Sequence, residues 1–80
     1  MIPITSPETL GKALRHHRKL QGLSQTEAGR KFNLTQTMVS NVESGVEGVQ
    51  MSTVFRYMSA LGLEMSLSPR TKAGDEEALW

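Results

Sequence analysis

Between positions 35 and 41 the chain sets Thr35, Gln36, Thr37, Ser40 and Asn41 close together, a group of uncharged donors and acceptors on short or amide-tipped side chains. Glutamine and asparagine amides can bond adenine at two points, and threonine offers a hydroxyl or a methyl group that suits thymine. The chemistry open to these residues is the reading of base edges. The competing reading is an ordinary polar helix face. Ser, Thr and Asn are poor helix formers that helices usually keep at their ends, and their concentration on one short helix counts against it.

His16 and His17 are the other pair with chemistry to offer. Adjacent helical residues point about 100° apart, so the two rings cannot chelate one metal or act together as base and orienter. No catalytic residue, metal or cofactor is expected, and His17 is expected half-buried with His16 near solvent or phosphate. The absence of cysteine excludes disulfides, thiolate metal sites and thiol nucleophiles. No apolar run approaches the roughly 18 residues a bilayer requires, and Met1 to Thr5 lacks a basic stretch leading into an apolar one. A cytoplasmic protein without a membrane partner is expected.

Charge is segregated along the chain. From Lys12 to Lys31, Lys12, Arg15, Arg18, Lys19, Arg30 and Lys31 face one acid, Glu27, for a net +5, whereas Asp75, Glu76 and Glu77 near the end carry −3 with no base beside them. A basic body suits a polyanion, and it also suits a solvated helix face; charge alone leaves the two level.

The elements that must position these residues are visible in the caps and periods. Ser6-Pro7-Glu8 is a helix start, with Ser6 as cap and Pro7 at the first helical position. Leu10, Ala13, Leu14, His17 and Leu20 share one face by three-and-four spacing, and Gly22 supplies the stop. Ser24-Gln25-Thr26-Glu27 is a capping box opening a second helix that runs to about Phe32, where Asn33 can take the left-handed turn. Thr35 caps a third helix with Val39 and Val42 inward, ended by Ser44-Gly45. Val46 to Gln50 reads as a loop. Met51, Val54, Phe55, Met58 and Leu61 then form a fourth amphipathic helix closed by Gly62. Leu63, Met65 and Leu67 alternate with polar residues as far as Pro69, a strand pattern. The expectation is an all-α domain of about four helices over residues 1–69, with a short C-terminal β-strand pairing across a dimer, followed by a disordered acidic tail over 70–80.

Arg18 to Gly45 resembles the helix-turn-helix family that includes the phage Cro and repressor domains. The likeness rests on Arg18, Leu20, Gly22-Leu23-Ser24-Gln25, the small Gly29, Gln36, Val39-Ser40-Asn41, Glu43 and Gly45. Gly29 stands where alanine is usual, and Asn33 where glycine is commoner. The resemblance implies that the third helix enters the major groove of double-stranded operator DNA. It implies base reading by Thr35, Gln36, Thr37 and Ser40. Ser24 and Gln25 would sit at the DNA at the start of the second helix, with Asn41 and Ser44 near the phosphate backbone. It also implies that Arg18 and Glu43 form an internal ion pair.

Helix four, the Leu63 to Leu67 pattern, the polar tail and Trp80 narrow the likeness to HipB-type antitoxins. That family implies a homodimer that represses its own operon and neutralises a HipA-type kinase toxin. Trp80 would be the anchor to the toxin, since tryptophan is a frequent interface anchor and a flexible tether lets it find a pocket. A stand-alone phage-type repressor would share every DNA-facing residue. It would have little use for an acidic tail that ends in an isolated aromatic.

Overall fold

Three of the four helices begin on a hydroxyl residue engaged in a two-way clasp with the residue three places on. In the computed structural model, which describes residues 3–70, the elements are α1 (Pro7–Leu20), α2 (Gln25–Arg30), α3 (Gln36–Glu43) and α4 (Met51–Ala60). Ser6 Oγ accepts from the Thr9 amide at 3.1 Å, and Thr9 Oγ1 accepts from the Ser6 amide at 3.0 Å. Ser24 and Glu27 repeat the exchange at 3.1 and 2.9 Å. At α3, Thr35 Oγ1 accepts from the Met38 amide at 3.1 Å, and the Met38 sulfur accepts in return. These bonds satisfy amide donors that a helix start leaves without partners. The start of α4 at Gln50 has no side-chain cap.

The helices end where φ turns positive, at Gly22, Gly45 and Gly62, and the α2–α3 turn places Asn33 at φ 57°. Helix α2 stops at Arg30, short of the expected Phe32. Residues 31–33 form the turn instead, because the amides of Phe32 and Leu34 both fold back onto the Gly29 carbonyl.

The core joins all four helices: Leu14 from α1, Ala28 from α2, Leu34 from the turn, Val39 and Val42 from α3, Val54, Tyr57 and Met58 from α4, and Leu61 just beyond it. Helix α1 packs on α3, and α2 packs on both α3 and α4. Gly11 allows the first of these contacts. A β-carbon there would lie 2.3 Å from the Glu43 carbonyl oxygen and 2.6 Å from that of Val42. Gly29 is equally tight, with the Leu34 carbonyl oxygen 2.5 Å from where its β-carbon would be.

Several expected core positions lie outside it. On α1 the packed side is Gly11, Leu14 and Arg18, so the apolar stripe is only partly covered. Leu10 and Ala13 are half-buried, His17 is exposed rather than half-buried, and Leu20 is 69% exposed. Met51 and Phe55 are likewise exposed on α4, because Val54, Tyr57 and Met58 point to the core instead. Met51 and His17 border an apolar groove lined by residues 3–6, one side of α1 as far as His17, residues 45–49, one side of α4 and residues 63–70. Among the described residues there is no β-strand. Leu63 packs against the core, while Met65 and Leu67 are exposed, Leu67 at 93%. A strand needs a ladder partner, and this segment has none among the described residues. The acidic tail from residue 71 onward, with Trp80, lies outside the described residues.

Candidate nucleic-acid interface

Helices α2 and α3, joined by the Asn33 turn, carry the polar residues singled out in the sequence. Gln36, Thr37, Asn41 and Ser44 are exposed on α3 and its end, and Ser40 is half-buried. The hydroxyls of Ser24 and Thr35 are engaged as helix caps, although both residues are exposed. Gln25, at the start of α2, and Gln36, at the start of α3, are brought into direct contact: Gln36 Nε2 donates to Gln25 Oε1 at 2.6 Å.

That contact is the outer end of a chain rooted in the core. Gln25 Nε2 donates to Glu43 Oε1 at 3.1 Å. Arg18 donates to the same carboxylate twice, Nε to Oε2 at 2.7 Å and Nη2 to Oε1 at 3.0 Å. The Tyr57 hydroxyl donates to Oε2 as well. One carboxylate at the end of α3 thus accepts from α1, α2 and α4, the number of bonds its lone pairs can take. Arg18 also donates from Nη1 to the Leu23 carbonyl at 2.8 Å, tying the entry of α2 to the same cluster.

Electrostatics follow from these bonds. Burial alone would raise the Glu43 carboxyl, but bonds from Arg18, Tyr57 and Gln25 outweigh it and hold it below the ordinary carboxylate range. Burial, and then its bond to Glu43, push the Tyr57 hydroxyl upward. The bond to Glu43 also raises the Arg18 guanidinium. Backbone and side-chain bonds at Ser24 lower the exposed Glu27 carboxyl. The expected Arg18–Glu43 pair is therefore present and buried, with side chains 9% and 4% exposed.

Tyr57 was missed in the sequence although its spacing pointed to it. It stands three places after Val54 and four before Leu61 on the apolar stripe of α4, and a buried tyrosine needs a hydroxyl partner. Leu63, Met65 and Leu67 do not join the polar face. They line the apolar groove, which includes none of the α2–α3 polar residues.

A six-residue and an eight-residue helix held at one tight turn, with exposed hydrogen-bonding groups on the second, form a helix-turn-helix DNA-binding unit. Residues 14–67 match the family model described as helix-turn-helix. Antitoxin HipB of Escherichia coli O6:H1 is 31% identical over 75 residues, a span of 94% of this chain and 80% of that protein. A chain of the HipA-HipB-O2-O3 complex superposes with a TM-score of 0.83 at 28% identity, covering 89% of this chain and all of that one. A chain of the HipB-O4 20mer complex gives the same values. The protein belongs to the helix-turn-helix family and, within it, to the family of HipB antitoxins.

Proposed function

We propose that the protein is a cytoplasmic, non-enzymatic autorepressor that binds operator DNA as a homodimer and serves as antitoxin to a HipA-type kinase toxin. The observation that carries the DNA reading is the chain from Glu43 through Gln25 to Gln36. An ionised carboxylate only accepts, so Gln25 turns its amide nitrogen toward Glu43 and its oxygen toward Gln36. Gln36 must then donate to Gln25. One N–H and the carbonyl oxygen of Gln36 remain, the donor and acceptor that the major-groove edge of adenine matches. Thr35, Thr37 and Ser40 read the neighbouring bases, while Ser24, Gln25, Asn41 and Ser44 take the flanking phosphates.

The dimer is assigned to the opposite side. Ile4, Val46, Met51, Met65 and Leu67 are all exposed and line the groove. Pairing Leu63–Met65–Leu67 with the same segment of a second copy would give each strand a ladder partner and cover apolar surface twice over. On this reading residues 1–69 bind DNA and dimerise, and residues 70–80 form the acidic arm in which Trp80 engages the toxin. The toxin assignment draws on kinship with antitoxin HipB and on the HipA-HipB assembly among the structural neighbours.

The test is binding of the purified protein to a duplex from upstream of its own gene and to a scrambled duplex of equal length, followed by calorimetry with a purified HipA-type kinase. Strong preference for the native duplex and nanomolar to micromolar toxin binding are expected. Equal affinity for the two duplexes would remove the repressor reading, and no heat with the kinase would remove the antitoxin reading.

A further inference from the structure

We infer that Arg56, on α4, is a positioning residue for DNA reading: its guanidinium clamps the α2–α3 turn and so sets where α3 begins. Nη2 of Arg56 donates to the Phe32 carbonyl at 2.5 Å and to the Asn33 carbonyl at 3.2 Å. The amides of Phe32, Asn33 and Leu34 fold back onto the carbonyls of Gly29 and Arg30, so the turn's donors are satisfied from α2. The carbonyls of Phe32 and Asn33 face the other way, and α4 supplies their donor.

The turn needs such a hold. Asn33 sits at φ 57°, a left-handed conformation that costs a non-glycine residue free energy, and no second residue of the turn shares the strain. Thr35, two positions later, is the cap of α3, and Gln36 follows directly. A small rotation at Asn33 therefore moves the start of α3 and separates Gln36 from Gln25. Arg56 opposes that rotation by bonding, from the one nitrogen Nη2, the carbonyls on either side of the strained residue, and it does so from a helix that also carries Val54, Tyr57 and Met58 into the core. The charge lies on backbone carbonyls rather than on a carboxylate, so its role in the free protein is geometric.

This inference rests on the proposed DNA reading, and the experiment separates the two. Arg56→Met keeps the aliphatic stem and removes the donors. Operator affinity is expected to fall about tenfold, while affinity for scrambled duplex and the salt dependence of binding stay at wild-type values. Without DNA, the Leu34 amide should exchange with solvent faster in the variant. Adding Asn33→Gly, which removes the left-handed penalty, should restore most of the operator affinity. A salt slope lower by about one, with specific and non-specific affinities falling together, would make Arg56 a phosphate contact and overturn the clamp. Unchanged operator affinity and unchanged Leu34 exchange would overturn it as well. If the wild-type protein shows no operator preference, the functional reading fails instead, and Leu34 exchange alone decides whether Arg56 holds the turn.

Discussion

The Arg18 guanidinium and the Glu43 carboxylate meet side by side, with Nε on Oε2 at 2.7 Å and Nη2 on Oε1 at 3.0 Å, and both side chains are less than a tenth exposed. Their positions in sequence are 25 residues apart, so the pair fixes the angle of α3 against α1 rather than supporting either helix locally. Arg18→Ala leaves Glu43 buried without its counter-charge and is expected to cost about 3–5 kcal/mol of stability, read as a lower denaturant midpoint. A variant that melts like the wild type but loses DNA affinity would make Arg18 a phosphate ligand.

Acid should loosen the same junction. The Glu43 carboxyl titrates below its ordinary value in the folded chain, so the folded state binds this proton less readily than the unfolded one. Its contribution is complete above the unfolded value of about 4.3 and is lost as the pH falls through the lower folded value. The Glu27 carboxyl in the α2 clasp shifts in the same direction. Urea midpoints are expected to drop steeply below about pH 4. A midpoint constant from pH 6 to pH 3 would contradict this origin of acid sensitivity.

Gly11→Ala would ordinarily favour a helix. Here the added carbon meets two backbone carbonyl oxygens that no side-chain rotation can move, at 2.3 and 2.6 Å. The helices must separate, at an expected cost of about 1–3 kcal/mol. Gly22 is the control, since a β-carbon there has nothing within 4 Å and only its φ of 72° to oppose it. A thermal melt showing Gly11→Ala at or above wild-type stability would mean that α1 and α3 can slide apart freely.

Gln36→Ala removes the outer end of the amide chain without touching the core. Operator affinity should fall by about 1–3 kcal/mol, and preference should relax at a single base pair while the salt slope is unchanged. Titration against a set of single-base operator variants checks this. Uniform weakening across the set would assign Gln36 to the phosphates.

Met65→Pro addresses the other face. Proline removes a ladder donor in the middle of the Leu63–Leu67 segment, so dimerisation and operator binding should weaken together. Sedimentation of the wild-type protein as a monomer at micromolar concentration would exclude this mode of assembly.

What the sequence made legible was whatever is encoded within four residues. The Ser24–Glu27 box, the hydroxyl caps Ser6 and Thr35, and the left-handed Asn33 all occur as read, because cap and partner are neighbours along the chain. The Arg18–Glu43 pair was legible only through family resemblance. Which residue a long-range partner would be left no local mark: Tyr57 reaches Glu43 across 14 positions, Gln25 reaches it across 18, and Arg56 reaches Phe32 across 24. Periodicity also placed Leu20, Met51 and Phe55 inward, since spacing shows that a face is apolar but not what lies opposite it.

The uneven capping of the helices has a consequence for how the molecule could be rebuilt. Helices α1, α2 and α3 each carry their own start signal, whereas α4 begins at Gln50 without one. Moved to another scaffold, the first three would bring their N-terminal caps with them, while the placement of α3 after α2 would still depend on a hold at the turn such as Arg56 provides. Helix α4 has no such signal, yet it supplies Tyr57 to Glu43 and Arg56 to the α2–α3 turn, so a transplanted reading head would keep its geometry only if these two side chains travelled with it.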